Sequence, residues 1–280
     1  MTSETTKPKL IDIEAVLNSK NPKIVKWIPK FLVNYLKRII HQKEINEFLL
    51  KYGHCKGFDF TAAIIEHLNI TYHVIGLENI PIERRYIFAG NHPLGGLDGV
   101  ILMDAIGKVF PNIKFPVNDI LMNVDNLKPL FLPINKHGSQ TQDAVHKLEE
   151  AYQSDTQILM FPAGLVSRKK GNIIADLEWK KSFVKKAIEH HRYIVPVHIN
   201  GCNSNFFYGL ANWRKRLGIK INLEMLFLSD ELFKQKGATI TLSFGEPISY
   251  KELKTIKNPK EMANKIKAMV YTLGEKTLNP

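Results

Sequence analysis

A histidine and a nearby aspartate in this chain could form a general base and the carboxylate that orients it. His92 and Asp98 lie in the run Asn-His-Pro-Leu-Gly-Gly-Leu-Asp at positions 91–98. A neutral imidazole can accept a proton from a hydroxyl at neutral pH, and a carboxylate at its other ring nitrogen fixes its tautomer and orientation. A glycine-rich turn in which Asp98 only caps the next helix explains the same residues, so the pair alone does not decide.

A second polar loop follows the apolar run at positions 157–161. It contains Gly164, Ser167 and Arg168 in the run Phe-Pro-Ala-Gly-Leu-Val-Ser-Arg. Backbone N–H groups, the Ser167 hydroxyl and the planar Arg168 guanidinium together suit an anionic group such as a phosphate. A basic loop that is simply solvated accounts for these residues equally well.

Short apolar runs that alternate with helix-like segments predict the elements that position these groups. Strands are predicted at 71–75, 86–89, 131–134, 157–161, 193–199 and 239–244, and helices at 99–109, 139–152, 178–190 and 204–217. This alternation is typical of an α/β fold with a mixed, largely parallel sheet flanked by helices. Loops at the strand ends of such a sheet gather into one crevice, so we expect the two polar loops to converge.

A basic amphipathic segment precedes the α/β region. Apolar residues recur at steps of three and four over positions 24–40, with Trp27, Phe31 and Tyr35 among them and lysines between them. The pattern predicts a helical segment that Pro29 starts or kinks. It suits the headgroup region of an anionic membrane, although an ordinary helix packed on a core shows the same pattern. We therefore expect a helical, membrane-associating region over 1–69 and an α/β domain over 70–280.

A second aromatic and basic segment runs from Phe206 to Arg216. Aromatic side chains beside a basic cluster suit an interface. Core residues followed by a solvated helix end, or a stacking platform for single-stranded nucleic acid, fit the same pattern.

The composition limits the class of protein. The 280 residues are 44% hydrophobic, which is enough for a substantial core, and the formal net charge is +12. Such a charge suits nucleic acid, anionic lipid, phosphorylated substrates or acidic carrier proteins without choosing among them. Cys55 and Cys202 lack the spacing of a zinc site or a disulfide framework, which favours reduced thiols in the cytosol. There is no signal-peptide pattern, and no stretch reaches the roughly 18 consecutive apolar residues of a membrane span.

The ordered motifs resemble those of the glycerolipid acyltransferase superfamily. Asn-His-Pro-x-Gly-Gly-x-Asp at 91–98 is followed by Phe-Pro-Ala-Gly-x-x-Ser-Arg at 161–168 and by Ile-Val-Pro-Val at 194–197. The chain looks most similar to the bacterial hemolysin-like branch, which acylates lyso-ornithine and lyso-glycine lipids. Residues 176–179 and 201–207 also resemble that branch. The similarity covers about residues 70–248, and its specificity lies in the order of the motifs.

The resemblance implies a role for each polar group. His92 would deprotonate an acceptor hydroxyl, Asp98 would orient His92, and the acyl group would pass directly from a thioester to oxygen. No acyl-enzyme is needed, which is consistent with the absence of a Gly-x-Ser-x-Gly nucleophile turn. The charge that develops on the thioester oxygen needs donors, for which the candidates are the backbone N–H groups of Gly95, Gly96 and Gly164.

Three departures from the common family pattern concern the acceptor. One extra residue separates His92 from Asp98, Ala163 replaces the usual glutamate, and no arginine stands near 131–136, where Lys136 supplies charge without a bidentate fork. These changes favour a lyso-aminolipid over lysophosphatidic acid as acceptor. The carboxylate of such a lipid would still suit Arg168, Lys169 or Lys136, and Ser167 remains a candidate for substrate binding.

The resemblance also implies partners and a location. The donor would be an acyl carrier protein or CoA thioester, the acceptor a lysolipid, and the enzyme peripheral or monotopic on the cytoplasmic side of the inner membrane, at an anionic surface. We expect no cofactor, no nucleic acid and no metal, since no third ligand with recognisable spacing joins His92 and Asp98. The competing hypotheses are a non-enzymatic basic module that binds nucleic acid or membranes, and a lipid hydrolase in which His92 activates water.

Overall fold

The computed structural model describes residues 10–20, 28–118, 121–134 and 142–278. Its strands are β1 (Thr71–Ile75), β2 (Tyr86–Gly90), β3 (Ile113–Val117), β4 (Phe131–Pro133), β5 (Gln157–Met160), β6 (Arg168–Lys170), β7 (Ile173–Ala175), β8 (Tyr193–Ile199) and β9 (Thr239–Phe244). Its α-helices are α1 (Ile13–Lys20), α2 (Lys30–Ile39), α3 (Gln42–Tyr52), α4 (Phe58–His67), α5 (Gly96–Gly107), α6 (Gln142–Gln153), α7 (Ser182–Glu189), α8 (Asn205–Arg216), α9 (Leu228–Lys234), α10 (Tyr250–Leu253) and α11 (Pro259–Leu278).

One mixed sheet organises the fold. Seven strands pair in the order β1-β9-β8-β2-β5-β3-β4. The five strands from β8 to β4 in this order run parallel to one another, whereas β9 is antiparallel to β8 and parallel to β1. The strands β6 and β7 form a separate antiparallel hairpin. The predicted α/β fold with a mixed, largely parallel sheet flanked by helices is confirmed.

The sheet is covered on both faces, as the central strand β2 shows. All five of its residues are buried. Tyr86 and Phe88 point into one apolar cluster together with residues of α4 and α5, and Ile87 and Ala89 point into another with residues of α7 and α11. Because successive strand residues face opposite sides, a central parallel strand must be apolar throughout. This position places the end of β2, and the turn after it, in the middle of the sheet edge.

The N-terminal region is helical in its described part and packs against the α/β domain. Pro29 precedes the first turn of α2, which confirms that it starts a helix, whereas Trp27 lies outside the described residues. Helices α3 and α4 contribute Phe48 and Phe60 to the same core as the sheet. Phe31 on α2 is 74% exposed. No helix within the described ranges is long and apolar enough to cross a membrane. The domain boundary at residue 69 stays a prediction.

A fully buried arginine fixes the opposite edge of the sheet, where β2, β5 and β8 begin. Arg192 has no exposed surface, and burial lowers its pKa to about 10, so the guanidinium is charged at neutral pH. It donates hydrogen bonds to the carbonyl oxygens of Tyr86, Ala151, Tyr152, Ser154 and Thr156. These carbonyls belong to the end of α6 and the approaches to two strands, which the arginine therefore holds together.

We expect Arg192→Met to lower the free energy of unfolding by about 3 kcal/mol, because several buried carbonyl groups lose a charged donor. Urea unfolding followed by circular dichroism measures the change. Arg84→Met is the matched control, because Arg84 is exposed and lies over the Tyr193 ring. Equal stability of the two variants would contradict the anchoring role of Arg192.

Candidate active site

The site is built at the carboxyl edge of the sheet, where β2 ends between β5 and β8. The Asn91 side chain continues the pairing of β2 with β8 by one residue. Its Nδ2 donates to the Ile199 carbonyl over 2.9 Å, and its Oδ1 accepts from the Ile199 N–H over 2.7 Å. The chain then enters a turn in which Gly95 has a φ of +83°, a conformation that glycine adopts without strain. Helix α5 starts directly after Gly95, so the turn holds His92 close to the helix N-terminus.

His92 and Asp98 form the predicted pair. His92 Nδ1 lies 2.8 Å from Asp98 Oδ2, which also accepts the N–H groups of Leu94 over 2.8 Å and Gly95 over 3.0 Å. Because Asp98 Oδ2 accepts hydrogen bonds from these backbone N–H groups, it also accepts the hydrogen bond from the imidazole. Nδ1 therefore carries the proton, and Nε2 is the nitrogen that can accept one. Asp98 thus both orients the imidazole and caps α5. The sequence left these two roles as alternatives, and the structure combines them.

The environment of the pair combines burial with directed hydrogen bonds. Asp98 has no exposed side-chain surface, whereas His92 is 17% exposed. Burial raises the pKa of Asp98, and the hydrogen bonds from His92, Leu94 and Gly95 oppose this rise. The His92 ring stacks on Phe161, with ring centroids 4.2 Å apart and an angle of 14° between the planes. Phe161 directly follows β5, so both predicted loops contribute to the position of the imidazole.

A buried aspartate that sequence reasoning missed joins the two loops. Asp176 Oδ1 accepts the backbone N–H of His92 over 3.1 Å and the hydroxyl of Ser167 over 2.6 Å, and its Oδ2 accepts Trp179 Nε1 over 2.8 Å. The Ser167 N–H in turn donates to the His92 carbonyl over 2.8 Å. Only 5% of Asp176 is exposed. Residues 176–179 belong to the motifs behind the family resemblance, which was the one available signal, but the motif alone assigns no role.

The two polar residues predicted to hold an anion are engaged by protein groups in this structure. Ser167 is 1% exposed and donates to Asp176. Arg168 donates to Glu224 Oε1 over 2.8 Å and to the Val166 carbonyl over 2.7 Å, and Glu224 also accepts Arg214 Nε over 2.8 Å. Glu224 has no exposed surface, and burial lowers the pKa of Arg168. Contact of Ser167 or Arg168 with substrate stays a prediction, and Lys136 lies outside the described residues.

The three candidate glycine donors differ in their surroundings. The Gly95 N–H donates to Asp98, and the Gly164 N–H donates to the Phe161 carbonyl over 2.9 Å. Gly96 is exposed and opens α5. The first N–H groups of a helix have no partner within the helix, and the helix dipole adds positive potential there. Gly96 is therefore the best placed of the three to stabilise a developing oxyanion.

A crevice of about 210 Å³ lies beside the turn. It is lined by Asn91, Pro93, Ser167 and Tyr271 among others, but the His92 imidazole does not line it. Burial lowers the pKa of His198, which also borders the crevice. The crevice therefore adjoins the backbone of the turn and not the His92 imidazole.

One trio of possible metal ligands lies close together within the described residues: Glu149, Glu189 and His190. Lys186 Nζ lies 2.8 Å from Glu149 and 3.0 Å from Glu189. The ammonium group of Lys186 therefore already pairs with both carboxylates. The trio belongs to α6 and the end of α7, and none of its members takes part in the contacts of His92 and Asp98.

A strand, a histidine-bearing turn and a helix whose first turn carries the partner carboxylate provide a base suited to deprotonating a hydroxyl. Residues 15–278 match the acyltransferase family, and the chain belongs to that family. The predicted class of enzyme, an acyltransferase, is thereby confirmed.

Two relatives are similar over almost their whole length. The lyso-glycine lipid O-acyltransferases of Bacteroides thetaiotaomicron and Phocaeicola vulgatus are each 49% identical to this chain over 265 residues, covering 94% of it and 97% and 95% of their own lengths. The predicted relationship to the branch that includes lyso-glycine lipid acyltransferases is confirmed. The solved 1-acyl-sn-glycerophosphate acyltransferase of Thermotoga maritima aligns with a TM-score of 0.49 and 19% identity, over 88% of this chain and 80% of that one.

We expect Asp98→Asn to lower turnover in acyl transfer by about 10²- to 10⁴-fold, because an amide supports the imidazolium poorly. The melting temperature should not fall at pH 7. The pKa of Asp98 is raised in the folded state, so its ionised form costs stability, and that cost disappears as the pH falls through this pKa. Turnover and thermal melts at pH 7 and pH 5 check both parts. Full turnover in this variant would contradict the role of Asp98.

We expect Asp176→Asn to lower turnover on the order of 10²-fold. Both carboxylate oxygens of Asp176 accept hydrogen bonds, and in the variant an NH₂ group replaces one of them and repels the donor it faces. The backbone of His92 then shifts. The decrease should appear in kcat with little change in KM, together with a change in Trp179 fluorescence. Asp155→Asn, at an exposed aspartate, is the control. A loss of thermal stability with unchanged kcat would assign Asp176 a purely structural role.

Proposed function

We propose that this acyltransferase moves a fatty acyl group from an acyl thioester to the hydroxyl of a lysolipid, with a lyso-glycine lipid or a similar lyso-aminolipid as the acceptor. The 2.8 Å contact between His92 Nδ1 and Asp98 Oδ2 carries the proposal, because it leaves Nε2 to accept a proton. The acceptor class is supported by the names of relatives that are 49% identical over 94% of the chain.

In the proposed reaction, the acceptor hydroxyl gives its proton to His92 Nε2 while its oxygen attacks the thioester carbonyl carbon. The carbonyl oxygen becomes an oxyanion near the Gly96 N–H at the start of α5. The intermediate then collapses, the carbon–sulfur bond breaks, and the imidazolium returns its proton to the departing thiolate. Asp98 stabilises the imidazolium between these two steps. Atoms and charges balance without a cofactor, and no acyl-enzyme forms.

The acceptor headgroup would interact with the basic hairpin β6–β7. The carboxylate of a lyso-aminolipid needs a cation, and Arg168 is held by Glu224. Lys169 is partly exposed and reaches Asn205 Oδ1 over 2.9 Å, a contact that a stronger anion could replace. We therefore assign the first contact with the headgroup to Lys169. Lys136, Ser167 and Arg168 are further proposed contributors.

Charge and exposure support a proposed donor and a proposed location. A net charge of +12 favours a polyanionic CoA thioester or an acidic acyl carrier protein as donor. On α2, Phe31 is 74% exposed, Leu32 40% and Tyr35 38%, whereas Val33 and Ile39 are buried. An N-terminal helix with one apolar face left open suits a peripheral position on an anionic membrane. We place the enzyme on the cytoplasmic side of the inner membrane.

The test is acyl transfer by the purified protein, with acyl-CoA or acyl carrier protein as donor and either lyso-glycine lipid or lysophosphatidic acid as acceptor. Mass spectrometry should detect the diacylated glycine lipid, and His92→Ala should reduce its formation by at least about 10²-fold. The matched control is His146→Ala, since the His146 side chain is exposed on α6. Gln157→Ala does not serve this purpose, because the Gln157 side chain binds backbone groups.

Three outcomes would overturn parts of this proposal. Release of free fatty acid despite abundant lysolipid would identify a hydrolase. A preference for lysophosphatidic acid would refute the acceptor class while leaving acyl transfer intact. Wild-type turnover by His92→Ala would refute the mechanism. Lipid profiles of cells that lack the protein provide an independent check, since the true acceptor should accumulate in them.

A further inference from the structure

Helix α8 has an apolar row on its solvent side. Phe206, Leu210, Trp213 and Leu217 follow one another at steps of four, three and four, with Leu217 just past the last helical residue. Residues at this spacing lie on one face of a helix. Phe206 is 52% exposed, Trp213 55% and Leu217 56%. A helix of a soluble domain usually has charged or polar residues on this side.

The opposite side of α8 is already packed. Phe207, Tyr208 and Ala211 are buried, and Phe207 and Tyr208 form a cluster with Val166. The helix is also capped, since the Ser204 hydroxyl accepts the Phe207 N–H over 3.2 Å. Helix α8 therefore has a fully packed face toward the core and, in addition, an exposed apolar row on its other side.

The apolar surface continues beyond α8. Ile221 is 72% exposed and Leu226 is 49% exposed in the segment that follows the helix. The Phe227 ring meets the Phe206 ring edge to face, with centroids 5.0 Å apart, which connects this segment to the row. We call the row on α8 together with Ile221 and Leu226 the α8 face.

Exposed cations border the α8 face, and the sequence around helix α8 contains no acidic residue. Positions 199–223 contain no aspartate or glutamate, whereas Lys215, Arg216 and Lys220 are exposed there. The hairpin β6–β7 adds Lys169 and Lys170. It is joined to α8 by the bond from Lys169 to Asn205 and by a bond from the Asn212 amide to the Lys169 carbonyl over 3.1 Å. The surface therefore combines large apolar side chains with exposed cations, while the nearby carboxylates of Asp230 and Glu231 are paired with Lys234.

We propose that the α8 face lies on the surface of an anionic lipid bilayer, as a contact in addition to the N-terminal helices. A convex helix with an indole and several aliphatic side chains can sink into the headgroup boundary of a bilayer, and the surrounding cations are attracted to anionic lipids. A folded protein partner would need a matching groove. An acidic carrier protein is the other occupant of suitable charge, and the experiment below separates the two.

This contact would bring the catalytic turn to the membrane. The buried side of α8 packs on Val166, and a Cβ at Gly95 would lie 3.7 Å from Val166 and 3.1 Å from Leu228. About one helix diameter, roughly 10 Å, thus separates the turn from the bilayer side of α8. The inference rests on the proposed lysolipid acceptor, which resides in the bilayer, and it adds a second contact that fixes the orientation of the enzyme.

Binding of the full chain to vesicles tests the contact. Wild-type protein should sediment with vesicles of phosphatidylglycerol and phosphatidylcholine and bind pure phosphatidylcholine more weakly. Leu217→Glu should weaken binding to the anionic vesicles at least tenfold. Ile82→Glu is the matched control: Ile82 is 63% exposed and precedes β2, at the other edge of the sheet. Circular dichroism verifies the fold of both variants. Equal binding by the two variants would overturn the proposal.

Fluorescence locates the contact directly. The chain has three tryptophans, and in a Trp27→Phe background the remaining ones are Trp213 and Trp179, of which Trp179 is 1% exposed. Lipids brominated near the headgroup should therefore quench Trp213. Absence of quenching, or a Trp213 response to acyl carrier protein instead of vesicles, would overturn the assignment to a bilayer. If the proposed function fails but the contact is real, the wild-type protein will bind vesicles without transferring acyl groups. The brominated lipids will still quench the fluorescence of Trp213.

Discussion

The parallel pairing of β2 with both β5 and β8 is the constraint on which the site depends. It brings three strand ends to one edge of the sheet. His92 follows the first of these strands, Phe161 the second, and the turn containing Gly201 the third. The strands are largely apolar and buried on both faces, so the polar groups of the candidate site lie in the loops that leave them. Hydrophobic burial thereby determines where the base can be.

Buried carboxylates convert this topology into a defined geometry. Asp98 orients the imidazole, Asp176 connects the two loops, and Glu224 joins Arg168 to Arg214. Each is at most 5% exposed, and a buried charge is tolerated only where donors surround it. The hydrogen bonds that these acids accept are therefore the same ones that immobilise the site.

Local sequence patterns predicted the bounds of several strands and the contact between two residues that are close in the chain. The predicted bounds of β1, β8 and β9 are those of the structure, and the pairing of His92 with Asp98 was predicted from a single turn. Strand β3 was missed because it is short and contains Pro116, which argues against a strand. Asp176 and Glu224 were missed for a different reason: their partners His92 and Arg168 are 84 and 56 positions away, and local patterns carry no information about such contacts.

The backbone of His92 has a consequence for how related enzymes can diverge. Its N–H donates to Asp176 and its carbonyl accepts from Ser167, so the main chain is held on both sides independently of the imidazole. The rest of the surrounding loops can therefore change sequence while His92 stays in place. An ancestral turn of this kind could acquire a new lipid headgroup specificity by mutation of its neighbours alone, without passing through an inactive intermediate.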